Sequence, residues 1–226
     1  MSAHGLFVTG TDTGIGKTRV AVALIHALRA RGLRVAAMKP VSAGSAPDEL
    51  NEDVVALMQA ANVDADARDV NPYAFAEAIA PHIAAESLGA RIELDVIAAA
   101  YARLAAIADV VVVEGAGGWR VPLNEHEDMA DLALRLGLPV VLVVGLRLGC
   151  LNHALLTAES IALRRVQWAG WVGNHIEPAM PQAAENLAAL RTRLPGPCLG
   201  VQGFFEGEGL PLNMPQWLTL PDWLVS

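Results

Sequence analysis

Four consecutive valines, Val110 to Val113, stand between Asp109 and Glu114 with no polar residue among them. A strand with one wet face alternates apolar and polar residues. An uninterrupted β-branched run must instead be buried on both faces, and a parallel sheet covered by helices is the arrangement that does this. Leu6-Phe7-Val8 and Leu138 to Val144 repeat the pattern, Leu33 to Met38 reads as a further strand, and Trp168 to Val172 repeats it more weakly. Between them lie segments with helical spacing. In 17–31 the apolar positions are Val20, Leu24, Ala27 and Leu28, and Gly32 follows, as a glycine does just past a helix end. Residues 51–61, 92–108, 127–136, 150–165 and 182–193 are also read as helices. Alternating strands and helices predict an α/β fold: a doubly wound, mostly parallel sheet flanked by helices, in a single domain over 1–226. The stretch 62–90 is mixed, with Pro72, Pro81 and Gly89 as punctuation, and the tail from Gly203 onward carries no readable element.

Ligands of such sheets gather at the carboxyl ends of the strands. The first strand runs into Gly10-Thr11-Asp12-Thr13-Gly14-Ile15-Gly16-Lys17-Thr18, which then opens a helix. Successive backbone N–H groups in such a turn form an anion nest, and the helix N-terminus adds partial positive charge. The Lys17 ammonium would reach the β- and γ-phosphates of a nucleotide, and the Thr18 hydroxyl would meet Mg²⁺. Five residues separate Gly10 from Gly16, where the common spacing is four. Glu114 closes the four-valine strand, a place from which a carboxylate can hold Mg²⁺ directly or through water. The Gly115-Ala116-Gly117-Gly118 loop after it gives backbone close access to a ligand. Asp53 is a weaker metal candidate, because an acid in the first turn of a helix is favourable for its own sake.

Composition sharpens one choice. Of 16 basic residues, 14 are Arg; Lys17 and Lys39 alone are Lys. Lys39 ends the second strand, before Pro40, and its compact charge suits a small anion such as a carboxylate, carbamate or phosphate. The net charge of −8 and the lack of a basic cluster argue against a nucleic-acid binder. No apolar stretch approaches the ~20 residues of a membrane span. The first ten residues show no signal-peptide pattern, and Cys150 and Cys198 make no disulfide framework, so a cytoplasmic setting is expected.

Together these stretches resemble the dethiobiotin synthetase family of biotin biosynthesis. The resemblance rests on Thr9 to Thr18 with its five-residue spacing, Lys39-Pro40-Val41, Val70-Asn71-Pro72-Tyr73 with Phe75, and Pro81-His82. It continues in Val113 to Trp119, Val143-Val144-Gly145 through Leu148-Gly149-Cys150, Asn152-His153, and Ala169 to Val172 with Asn174. It runs in order from residue 6 to about 200. It implies a P-loop NTPase-like fold and an ATP-dependent cyclo-ligase. Such an enzyme joins diaminopelargonate and CO₂ with MgATP, through a carbamate and a carbamic-phosphoric anhydride, to give dethiobiotin, ADP and phosphate. It also implies roles: Lys17, Lys39 and Thr13 in catalysis, and Thr18, Asp53 and Glu114 at the metal. ATP would meet Gly14, Ile15, Gly16, Lys17, Thr18, Arg19, Asp53, Glu114, Gly115, Ala116, Gly117, Asn174, His175 and Gly203, with Asn174 reading the adenine edge. The substrate would meet Thr13, Lys39, Ala43 and Gly117. The helix start Gly149-Cys150-Leu151-Asn152, supplied by the other subunit of a homodimer, would take its carboxylate tail.

Three positions depart from the family's pattern. Ala43 stands where a hydroxyl is usual, Asn186 where some members have tyrosine, and Gly203 where proline is common. The rival reading is a Mg²⁺-ATP switch of the partitioning or division-site type. It shares the fold but carries an extra lysine early in the phosphate loop, where Thr11-Asp12-Thr13 has none. A related amide-forming synthetase of cobalamin biosynthesis would need an appended glutaminase domain, for which 226 residues leave no room.

Overall fold

The computed structural model describes residues 4–45, 49–206, 216–221 and 224. Six parallel strands form the main sheet: β1 (His4–Gly10), β2 (Val35–Met38), β5 (Val110–Glu114), β6 (Val140–Leu146), β7 (Trp168–His175) and β8 (Cys198–Gln202). Their order across the sheet is β2-β5-β1-β6-β7-β8. The chain leaves β1 for one edge, returns through β5, and then builds outward from β6. The loop after β1 therefore lies at the reversal point, where sheets of this kind open a crevice.

The valine run behaves as its composition demands. Val111 and Val113 pack into one hydrophobic cluster with Phe7, Met38 and Ile97, while Val110 and Val112 pack into another with Leu6, Val8 and Leu24. All four are 2% exposed or less. Helices α1 (Lys17–Arg29) and α2 (Glu52–Ala60) share the second cluster, and α5 (Leu94–Ile107) and α6 (Met129–Leu136) share the first. A third cluster joins β6 and β7 to α7 (Cys150–Leu163) and α8 (Ala183–Arg193) through Leu142, Ala154, Trp171 and Leu190.

Elements that the sequence left unread appear in three places. The mixed stretch holds α3 (Ala67–Val70), β4 (Tyr73–Phe75) and α4 (Pro81–Ser87). Strand β4 pairs in parallel with β3 (Val41–Ala43), forming a two-stranded ribbon beside the main sheet. Beyond the eighth helix, β8 extends the sheet, and Leu218 of the tail returns to bridge Gly200 in antiparallel fashion. Strand β7 also runs three residues past the expected Val172, so that Asn174 and His175 are its last residues and not part of a loop.

Candidate active site

The phosphate loop is shaped by two left-handed glycines, Gly14 at φ +72° and Gly16 at φ +84°, a conformation that a Cβ would strain. Ile15 between them is buried, and its side chain fills the space above Gly10 and Gly145. Only its backbone can therefore face a ligand. Thr13 and Gly14 stand exposed at the lip. Lys17 is the first residue of α1, and its Nζ donates to the Asp12 carbonyl at 2.8 Å, closing the loop on itself. Burial lowers its pKa to about 8, partly countered by Glu114.

Below the loop, four side chains meet, from α1, α2, β5 and the turn just past β2. The Thr18 hydroxyl lies 2.7 Å from Asp53 Oδ1 and 3.0 Å from Glu114 Oε1. Lys39 Nζ donates to Asp53 Oδ2 at 2.9 Å and to Glu114 Oε1 at 2.5 Å. Lys39 and Glu114 are 5% and 1% exposed. Burial alone would lower the Lys39 pKa, but Glu114 and Asp53 outweigh it and hold the ammonium charged. Burial pushes the Glu114 carboxyl up, with Lys39 pulling against it. Asp53 is held below the usual carboxylate range: burial would raise it, but Lys39 and the Thr18 hydroxyl overcome that.

The donors fall short of what the carboxylates can accept. The one Thr18 proton cannot serve both acids at once, and Glu114 Oε2 is buried with no hydrogen-bond partner. A buried carboxylate oxygen left bare is costly, and a hard cation would satisfy it. Thr18, Asp53 and Glu114 thus fit a divalent metal. Among the described residues no group of three or more His, Cys, Asp or Glu is arranged to hold one; the remaining ligands would be phosphate oxygens and water.

A cavity of about 1150 Å³ opens over this cluster. Thr13, Gly14, Gly16, Lys17, Thr18, Arg19, Lys39, Ala43, Asp53, Glu114, Ala116 and Gly117 line it. Gly117, at φ +61°, lies beside the Thr13 hydroxyl. Gly115 is buried against Phe7 and Met129 and does not reach the lining. On the far side of the loop, Asn174 is buried and its Nδ2 donates to the Ile15 carbonyl at 2.7 Å. His175 and Gly203 stand near the same edge but outside the lining, and the Arg19 guanidinium lies 4.2 Å from the centroid of the Phe205 ring.

Gly149 to Asn152 are not brought to this cavity. Gly149, at φ +94°, caps α7 with Leu148 and Asn152 exposed around it, while Cys150 is buried. Asn186 is likewise outside the lining and bonds to the carbonyl of Gln182, which caps its own helix.

Several positioning contacts lay outside the sequence reading. Buried Asn71 accepts from the Ser42 hydroxyl and donates to the Lys39 and Tyr73 carbonyls. Ser42 also lines the cavity, but its hydroxyl proton is already engaged by Asn71. Asp12 pairs with Arg147 at 2.6 Å, tying the phosphate loop to the turn before α7. Asn51 caps α2. An Asn two residues ahead of Asp53 was the one readable signal among these, as a cap pattern.

A protein-family profile described as an AAA domain matches residues 4–201. Among curated proteins, an ATP-dependent dethiobiotin synthetase from Nitrosospira multiformis is 52% identical over 197 residues, covering 87% of each chain. That of Aromatoleum aromaticum is 51% identical over 218 residues, covering 95% of this chain and 96% of its own. That of Pseudomonas aeruginosa is 52% identical over 198 residues, covering 86% and 87%.

Proposed function

Because the chain belongs to the family of ATP-dependent dethiobiotin synthetases, we propose that its cavity carries out that ligation on diaminopelargonate, CO₂ and MgATP within one domain. The observation that carries this reading is the cluster of Lys39, Thr18, Asp53 and Glu114 directly beneath the phosphate loop, with Lys39 and Glu114 buried at its base. A carbamate bears one negative charge and must approach a triphosphate that bears several. An ammonium next to the metal-side carboxylates answers that need. The relatives named above give the partitioning-type switch no support.

The chemistry runs in three steps. One amine of the diamine adds to CO₂, losing a proton and forming a carbamate. A carbamate oxygen attacks the γ-phosphorus, ADP leaves, and a carbamic-phosphoric anhydride remains. The second amine attacks the carbonyl carbon and displaces phosphate, closing the cyclic urea. Phosphoryl transfer depends chiefly on positioning and charge neutralisation. The loop amides from Gly14 to Thr18 and Lys17 hold the phosphates, joined by Arg19, Ala116 and Gly117 at the cavity wall. Lys39 holds the carbamate oxygen in line with the γ-phosphorus, and Thr13 with Gly117 orients the reacting end of the diamine. Thr18, Asp53 and Glu114 hold Mg²⁺, which supplies charge neutralisation to the phosphate oxygens. Asn174, His175 and the backbone near Gly203 receive the adenine.

The exposed turn Leu148-Gly149 and Asn152 lie outside their own chain's cavity, which supports a homodimer in which the start of α7 takes the substrate carboxylate of the second copy. Small molecules and a second copy are then the partners. No helix among the described residues is long and apolar enough to cross a membrane. The two free cysteines accord with a cytoplasmic setting.

The test is incorporation of labelled CO₂ into an acid-stable product with MgATP and diaminopelargonate. Stoichiometric fixation with ADP release is expected; ATP hydrolysis without carbon fixation would refute the reading.

A further inference from the structure

Asn51 takes no part in the chemistry above, yet its carboxamide makes two bonds in opposite directions. Oδ1 accepts the Asp53 N–H at 3.0 Å and caps α2. Nδ2 donates to the Ala43 carbonyl at 3.1 Å, at the end of β3. Capping alone needs only an acceptor, and Ser, Thr or Asp would serve. The second bond needs a donor with the same reach, which among the usual capping residues only Asn provides.

The two atoms it joins belong to different walls of the cavity. Ala43 and Ser42 lie on the ribbon side with Ala78 and Pro81; Asp53 faces Thr18 and Lys39. In sequence, residues 44–52 separate them. In space, the side chain of Asn51 is a direct link from one wall to the other.

We propose that Asn51 is a positioning residue that fixes the distance between the substrate wall at Ala43 and the Asp53 carboxylate. It acts on the metal–phosphate side through its acceptor and on the diamine side through its donor. The second role rests on the ligase reading above; the first does not. The two ends are separable by substitution. Asn51→Ser keeps the cap but cannot reach Ala43. Asn51→Asp keeps the cap and sets a carboxylate against the carbonyl. Asn51→Ala removes both bonds.

The experiment compares the variants in two measurements: affinity for MgADP by calorimetry, and kcat and KM for the diamine. Loss of one hydrogen bond corresponds to an effect of about 2–10-fold. Asn51→Ser and Asn51→Asp should bind MgADP within twofold of the parent protein, while kcat/KM for the diamine falls about 3–10-fold. Asn51→Ala should lose in both. If it fails to fold, the Ser and Asp variants, which keep the cap, carry the test. Parent-like values of both quantities in Ser and Asp would reduce Asn51 to a helix cap and overturn the proposal. Equal loss of MgADP affinity in all three would also overturn it, because the two ends would not act separately. Should the parent protein fix no carbon, the ligase reading falls by itself. The MgADP arm then decides, and Asn51→Ala binding as well as the parent protein would refute the positioning role.

Discussion

The carboxyl edge of the sheet presents two regions built in opposite ways. Beneath β1, β2 and β5, the Lys39 ammonium, two carboxylates and a threonine hydroxyl are cross-bonded, the Lys17 ammonium holds the Asp12 carbonyl beside them, and Lys17, Lys39 and Glu114 are each no more than 6% exposed. Beyond β7 and β8, Asn174 makes one hydrogen bond to Ile15, Gly203 faces open space, and Phe205 stands half-exposed against Arg19. The first region balances charge against charge around a buried Lys39–Glu114 pair, so its members depend on one another. The second offers surface and single bonds, whose losses stay local. Charge developing on a phosphoryl group demands fixed dipoles and ions; a planar base needs a slot and a few edges. Substitutions should therefore be steep and interdependent in the first region, and shallow and independent in the second.

The sharpest way to break this contrast is to separate the two lysines. Lys39→Ala should lower kcat by about 10²–10³-fold, the range seen when one charge-stabilising donor is removed. It should cost less nucleotide affinity than Lys17→Ala does, because Lys39 bonds to Asp53 and Glu114 and not to the loop. Lys17→Ala should lose ATP affinity itself. Equal loss of ATP binding in both, measured by calorimetry, would contradict the separate roles.

Next in size comes a pH effect. Lys17 titrates at about 8, chiefly because burial disfavours its charge. The phosphates bind the ammonium, so affinity is full below that value and falls as pH rises through it. ATP should bind roughly tenfold more weakly at pH 9 than at pH 7 if the bound lysine stays charged. Proton uptake on binding near pH 8.5, read from calorimetry in two buffers, is the direct check.

The open region should respond less. Asn174→Ala should raise the KM for ATP by about 2–10-fold, the scale of one hydrogen bond, and leave inhibition by inorganic tripolyphosphate unchanged. Weaker tripolyphosphate inhibition would mean that the Asn174–Ile15 bond supports the phosphate loop, and that the two regions are not independent.

The same contrast explains what the sequence could reveal. Phosphate chemistry dictates residue types at adjacent positions, so Gly14 to Thr18 was readable, and Glu114 followed from its place at the end of a buried strand. What joins Lys39 to its surroundings was not readable. Asn71 reaches it from 32 residues away, and no local periodicity records such a bond. The β3–β4 ribbon escaped for a related reason: each strand has three residues, too few to display a period. Strand β8 mixes glycine and glutamine with apolar residues at the edge of the sheet, where burial on both faces is not required. The direction of the Ser42 hydroxyl could not be inferred either, since it is set by Asn71 and not by its neighbours in sequence.

That direction yields the smallest effect and the finest test. Ser42 is 2% exposed and its hydroxyl is held by Asn71 at 2.8 Å, and the neighbouring Ala43 presents a methyl group where a hydroxyl could stand. Ala43→Ser would restore one at the cavity lining, on the strand end that Asn51 holds. A new hydrogen bond to the reacting end of the diamine should lower its KM by about 2–5-fold, with ATP affinity unchanged. An unchanged KM would mean that Thr13 and Gly117 already satisfy that end, and that the apolar wall is matched to the carbon chain. A lower ATP affinity would mean that the ribbon side is coupled to the charge cluster through more than Asn51, and the boundary between steep and shallow regions would have to be moved outward to include β3.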